Sequence, residues 1–302
     1  MSRSAWVVGL LAAAGCKGNH AASKPAPTSG PAPGSAAAAH DPWAPTAGSA
    51  YDPIAFAGSG SDVPAWVHDP PDVLRDKING VNAHVIVLKS SATFAEYRDV
   101  LATAEKTPGV VAAEPFIFTE DQIAKGSGAP LSTAVKGVDP ARVDRVLTIG
   151  KHMVSGSLAV LASGDPAPIV LGDDLATKLA VKIGDDVKVT VQVDPDADAW
   201  DAPSDARRDN TRTKVFRVAG TFHMDFDEYD GRLALTSLAA MQAFVGRGDQ
   251  VMGIEMTVKD VEHADGVAKA LEAALGGPPY QAMDWYELNK NLFTAMFGTK
   301  RP

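Results

Sequence analysis

The sequence predicts an α+β fold: a split ferredoxin-like βαβ/βαβ sandwich interrupted by a β-rich subdomain and preceded by a disordered tether. Three observations predict it. Strand–helix–strand order occurs twice, once in residues 83–118 and again in residues 254–283. Between them, residues 120–250 are dominated by short runs of strand character. Ahead of both, residues 17–68 are rich in Ala, Pro, Gly and Ser and hold no sustained helical or strand period.

Taken in order, the chain opens on Arg3, an apolar run over residues 5–11, and Ala12-Ala13-Ala14-Gly15-Cys16. This reads as a secretory leader over 1–16 that ends in a lipobox-like Ala-Gly-Cys, with Cys16 as the lipidated residue. The alternatives are an ordinary leader or a start lying inside a longer protein. Residues 17–71 read as linker, with Trp43, Tyr51, Phe56 and Trp66 scattered within it. Residues 83–88 read as a strand; Phe94, Tyr97, Leu101 and Ala104 recur at helical spacing, and Pro108-Gly109 stops that helix. Residues 110–118 read as the next strand.

Residues 169–193 (IVLGDDLATKLAVKIGDDVKVTVQV) carry the most local information. A short buried strand meets Gly172 and Asp173, which read as a turn and helix N-cap. Leu175, Leu179 and Val181 mark a short helix, and Gly184-Asp185-Asp186 turns the chain. Val187, Val189, Val191 and Val193 then alternate with Lys188, Thr190 and Gln192 as a half-buried strand does. Near the C-terminus, Ile254, Met256 and Val258 alternate on a strand, Ala264, Val267, Leu271 and Leu275 line a helix face, and residues 280–283 form a short strand. Trp285, Leu288, Leu292 and Met296 fall on one stripe of a last helix.

Composition excludes several functions. A net charge of −9, from 28 Lys and Arg against 37 Asp and Glu, argues against nucleic acid, which needs clustered cations. No run approaches the roughly 20 apolar residues that span a bilayer. There is no P-loop, no Gly-x-Ser-x-Gly elbow and no His-Glu-x-x-His, and one cysteine permits no intrachain disulfide. Asp194, Asp196, Asp198 and Asp205 follow a calcium-loop spacing, but Ala199 and Asp205 stand where Gly and Glu belong, so they read as a solvated loop. The segment 223–231 (HMDFDEYDG) likewise reads as structural. Neither cluster brings a nucleophile–base pair, so the sequence predicts a binding protein: no catalytic, cofactor or metal residue is assigned.

Residues 169–193 are similar to the IVLGxxLAxxLxVKxGDxVxV stretch of the periplasmic core domain of LolC/LolE/MacB-type (FtsX-like) ABC transporter permeases. Residues 74–88 (LRDKINGVNAHVIVL), 135–140 (VKGVDP), 216–222 (FRVAGTF), 229–235 and 285–293 (WYELNKNLF) follow in that family's order. The resemblance implies a porter-like subdomain in two halves, 72–119 and 251–284, an inserted subdomain at 120–250, and a stalk-like helix at 285–302. It implies a periplasm-facing domain held at the envelope membrane, by a lipid anchor or by membrane helices missing from this sequence. Its implied partners are a separate ABC ATPase, through which alone ATP would act, a second permease, and a lipoprotein carrier or lipoprotein cargo. Where such proteins carry a hook that recruits the carrier, this chain has the segment 193–213, with Pro195, Trp200, Pro203, Arg207, Arg208 and Arg212 as candidate partner-binding residues. Trp285, Leu288, Leu292 and Met296 become candidate stalk contacts. The rival reading is a freestanding envelope lipoprotein of the same fold that binds as an accessory protein without transport.

Overall fold

Strand β1 (Val85–Lys89) is buried over four of its five residues. Helix α1 (Tyr97–Lys106) buries Tyr97, Val100, Leu101 and Ala104, the stripe its periodicity predicts. After it, Gly109 sits at φ +95°, and a Cβ there would come within 2.9 Å of Val267. Strand β2 (Val110–Ala124) runs beyond residue 118, where its apolar pattern ends, because it belongs to two sheets in succession. The computed structural model describes residues 70, 73, 77–79, 81–90, 93–192, 211–246 and 248–290.

The inserted region is built from β3 (Leu131–Val138), α2 (Val143–Val146), β4 (Met153–Ser155), β5 (Ala167–Gly172), α3 (Asp173–Lys178), β6 (Asp186–Gln192), β7 (Thr211–Phe222), α4 (Asp227–Asp230), β8 (Leu233–Ser237) and α5 (Leu238–Val245). Five of its strands close a ring with β2, while β4 pairs with β7 outside it. β2 pairs with β3, β3 with β8, β8 with β5, β5 with β7, β7 with β6, and β6 returns to β2. The β3–β8 and β5–β7 pairs are parallel and the other four antiparallel. Closure leaves these six strands without a free edge, which removes a template for aggregation.

Two turns set the ring's register. Gly172, not Asp173, holds the N-cap position of α3, because a Cβ there would collide with the Asp230 carbonyl of α4. Asp173 is thereby released for another contact. Gly184 takes φ +92°; its N–H donates to Val218 O (2.8 Å) and Val218 N–H donates to Asp185 O (2.9 Å), which lays β6 against β7. Lys125 at the end of β2 ties the same turn, reaching Asp185 Oδ2 at 2.8 Å and Ala180 O at 2.7 Å. Val187, Val189 and Val191 are buried in β6, as the alternation predicts.

Helix α5 lies across the ring, touching β2, β3, β8 and β7. Ser237 caps its first turn by accepting from Ala240 N–H (3.1 Å), Phe244 meets Phe216 edge-on at 5.7 Å, and Gly246 ends it at φ +68°. A Cβ on Gly246 would also strike the Arg212 guanidinium. Gly246→Ala is therefore expected to cost about 1–3 kcal/mol through left-handed strain alone. Urea denaturation checks it, and an unchanged midpoint would show that the helix end relaxes freely.

The chain then re-enters the first sheet with β9 (Gly253–Val258), α6 (Ala264–Ala274), β10 (Tyr280–Asp284) and α7 (Trp285–Leu288). The strand order is β10-β1-β9-β2, every neighbour antiparallel. β9 thus slots between β1 and β2, which is the interleaved order of a ferredoxin-like sandwich. α1 packs on β2 and β9, α6 on β10 and β1, and the two helices touch. Among the described residues no helix is long and apolar enough to cross a membrane.

Candidate functional site

The segment singled out for partner binding leaves the ring between β6 and β7. These strands pair without interruption from Asp186↔Arg217 to Gln192↔Thr211. Arg217 forks onto Asp186 (2.9 and 3.3 Å), and the Thr190 and Thr213 hydroxyls bond at 3.0 Å. The two ends of the connection are therefore held as neighbours. Arg212 lies on β7 with its guanidinium against the C-terminal end of α5, where carbonyl dipoles favour a cation. Lys214 follows on the same side, 5.3 Å from the Phe216 ring and 3.5 Å from Ala240 O. Pro195, Trp200, Pro203, Arg207 and Arg208, the Asp194–Asp205 spacing and Cys16 lie outside the described residues.

The terminal stripe divides. Trp285 is 0% exposed and donates its indole N–H to Val261 O at 3.0 Å. Asp284 caps α7 by accepting from Glu287 N–H (2.8 Å), and Leu288 is buried. Both residues pack within the domain and anchor the segment to it; Leu292 and Met296 lie outside the described residues.

Two charge centres were not assigned from sequence. The first lies at the α3–β7–α4 corner. The His223 Nδ1–H donates to Asp173 Oδ1 at 3.0 Å, with Asp230 Oδ2 3.5 Å away, and Nε2–H donates to Asp225 Oδ1 at 3.0 Å. Asp230 is buried and accepts from the Met224 and Phe226 amides (2.7 and 3.1 Å). Asp173, His223 and Asp230 could hold a metal ion, since one ligand atom from each falls within 4.8 Å of the others. The imidazolium itself already supplies the positive charge. The hydrogen bond to Asp173, aided by the charges of Asp230 and Asp173, raises the His223 pKa to about 9.

That shift has a sign. The folded pKa lies above the unfolded value near 6.5, so folding takes up a proton. The contribution is complete below the unfolded pKa and is lost as pH rises through about 9. His223→Gln should lower Tm at pH 6 and match wild type by about pH 10. A difference that stays constant with pH would show that the ring acts by packing alone.

The second centre is buried where the two sheets meet. Lys136 of β3 reaches Glu255 Oε2 of β9 at 2.7 Å, and Glu114 of β2 stands directly opposite Glu255. The three are 4%, 2% and 0% exposed. The only advance signal was a glutamate inside each of two apolar strands. Nearby in the ring, Asp121 is buried, accepts from the Thr119 hydroxyl at 2.6 Å, and is pushed up to about 7 by its burial.

The model of the MacB-like periplasmic core domain family matches residues 67–274. The chain belongs to that family. LolC of Xylella fastidiosa (strain 9a5c), a lipoprotein-releasing system transmembrane protein, is 30% identical over 223 residues, covering 74% of this chain and 51% of that protein. LolC of Neisseria meningitidis serogroup B (strain ATCC BAA-335 / MC58) is 25% identical over 228 residues, covering 76% of this chain and 52% of that protein. The chain spans about half the length of these curated relatives. The periplasmic region of MacB from Actinobacillus actinomycetemcomitans is 12% identical with a TM-score of 0.45, covering 74% of this chain and 97% of that one. By the family match and the LolC relatives, the described residues belong to a periplasm-facing core domain of the LolC/MacB permease type.

Proposed function

We propose that this core domain serves a lipoprotein-releasing permease by binding, taking up lipoprotein cargo or a periplasmic lipoprotein carrier through the segment between β6 and β7. ATP hydrolysis belongs to a separate ATPase partner, and a second permease domain completes the assembly. One observation supports this most: the pairing of Gln192 with Thr211, which holds both ends of a segment carrying Trp200, Arg207 and Arg208 side by side on a closed barrel. A binding loop on a rigid scaffold is the usual arrangement for recognition. Arg212, seated on α5, carries that rigidity up to the segment's edge. The LolC names of the relatives supply the substrate class.

The test is a photo-crosslinker at position 200 in cells, with a second at Val154, an exposed position (62%) on β4, as control. Capture of a lipid-labelled lipoprotein or its carrier at 200 but not at 154 supports the reading. Equal capture at both sites, or none, removes the segment from consideration.

The Ala-Gly-Cys16 sequence favours a second reading, an accessory lipoprotein held to the envelope by its own lipid. Labelled fatty acid incorporated by wild type and not by Cys16→Ser is its expected result. Equal labelling of the two chains would exclude Cys16 as the anchor.

A further inference from the structure

The centre formed by Glu114, Glu255 and Lys136 holds two carboxyl groups and one ammonium, all at most 4% exposed. Were every group ionised, the interior would carry an uncompensated negative charge, and a buried carboxyl in that position neutralises instead. The hydrogen bonds say where. Glu255 Oε2 faces the Lys136 ammonium at 2.7 Å, and Glu114 Oε2 accepts the Asp139 amide at 3.0 Å. The remaining oxygens, Glu114 Oε1 and Glu255 Oε1, are buried without a hydrogen-bond partner among the described residues, and their residues are cross-strand neighbours. Two acceptors cannot bond each other. A single proton makes one of them a donor and satisfies both.

We propose that Glu114 and Glu255 share one proton and, with Lys136, form a proton-held latch between the sandwich and the barrel. Glu114 carries the proton and donates it to Glu255, whose charge Lys136 balances. The three groups come from β2, β9 and β3, so the latch clamps β2 where it passes from one sheet to the next. Of the other charges on the elements packed here, Asp139 faces Glu114 and adds to the pressure for protonation. Asp144 and Arg145 of α2 are exposed, Arg142 is engaged by Glu105 and Asp139, and α5 has no titratable residue. Burial first, then the Glu255 charge, holds the Glu114 carboxyl well above its ordinary range. The folded pKa exceeds the unfolded one, so the latch is complete at low pH and released as pH rises through the folded value.

Urea denaturation of the full chain between pH 5 and 9 tests this, comparing wild type with Glu114→Gln, whose amide donates as the acid does. Relative to that variant, the wild-type unfolding constant should rise by up to tenfold per pH unit. Parallel profiles would overturn the shared proton. Should Glu114→Gln fail to fold, infrared spectroscopy decides: a protonated-carboxyl band should persist at pH 8 in wild type and in Asp121→Asn, and its absence would overturn the proposal. Hydrogen exchange separates a latch from a silent proton. The β9 and Asp139 amides should lose protection with rising pH in wild type and keep it in Glu114→Gln, and pH-independent protection in wild type would leave no latch.

Discussion

Lys136→Met is expected to lower the unfolding free energy by about 3–5 kcal/mol, the cost of removing one partner of a buried ion pair. The lysine is 4% exposed and its partner Glu255 is 2% exposed, so water cannot replace the ammonium. Methionine matches the aliphatic stem and keeps the packing beside the Phe116 ring, which the ammonium approaches at 5.5 Å. The loss therefore reports charge rather than volume. Lys136→Met with Glu255→Met should recover most of it, since apolar groups of similar size replace a buried pair at little cost. The measurement is the urea midpoint at constant m value. A loss below about 1 kcal/mol at neutral pH would mean that the centre is hydrated.

Trp285→Ala should cost a similar amount, about 3–5 kcal/mol, for a large aromatic truncated in a filled interior. The side chain is fully buried, and its indole N–H satisfies Val261 O, which truncation would leave without that donor. Trp285→Phe keeps most of the ring and loses the hydrogen bond, so it should fall well short of the alanine effect. Thermal denaturation gives the size of the loss, and limited proteolysis beyond Asp284 shows where it acts. If Trp285→Ala melts like wild type, the residue belongs to a stalk surface and not to this interior.

The sandwich was legible because its elements carry local patterns. Tyr97, Leu101 and Ala104 mark α1 and bury as marked, and Ile254, Met256 and Val258 line one face of β9. Strand β6 shows the buried and exposed alternation its valines predict. What escaped the sequence is non-local. Nothing in residues 117–124 announces that β2 continues into a second sheet, since Glu120, Asp121 and Gln122 read as the end of a strand. Ring closure depends on β6 finding β2, and sequence periodicity has no register between distant strands.

The charge centres were hidden for a related reason. A lysine at 136 within Val-Lys-Gly-Val reads as solvent-facing, because only the fold brings Glu255 from the far half of the chain to meet it. His223 looked like one residue in an acidic run, and its partner Asp173 lies 50 positions away. At Gly172 the sequence misled by one residue. Asp173 has the chemistry of a cap, yet the approach of α4 demands a residue without a side chain, and glycine takes the position.

The path of β2 also bears on how such a molecule can be rebuilt. The chain departs for the barrel after Phe116 and returns at Met252, whose N–H donates to Phe116 O at 3.0 Å. Departure and return are thus one strand spacing apart, about 4.8 Å, a gap that a hairpin of a few residues closes. The barrel is thus inserted like a cassette between two neighbouring positions of the host sheet, which it also covers: α2 packs on β2 and β9, and Thr257 Oγ1 donates to Val146 O at 3.3 Å. A replacement cassette would have to bring a cation to the place of Lys136 and a donor to the place of the Asp139 amide, or leave two glutamates of the host facing each other in the dark interior of the seam.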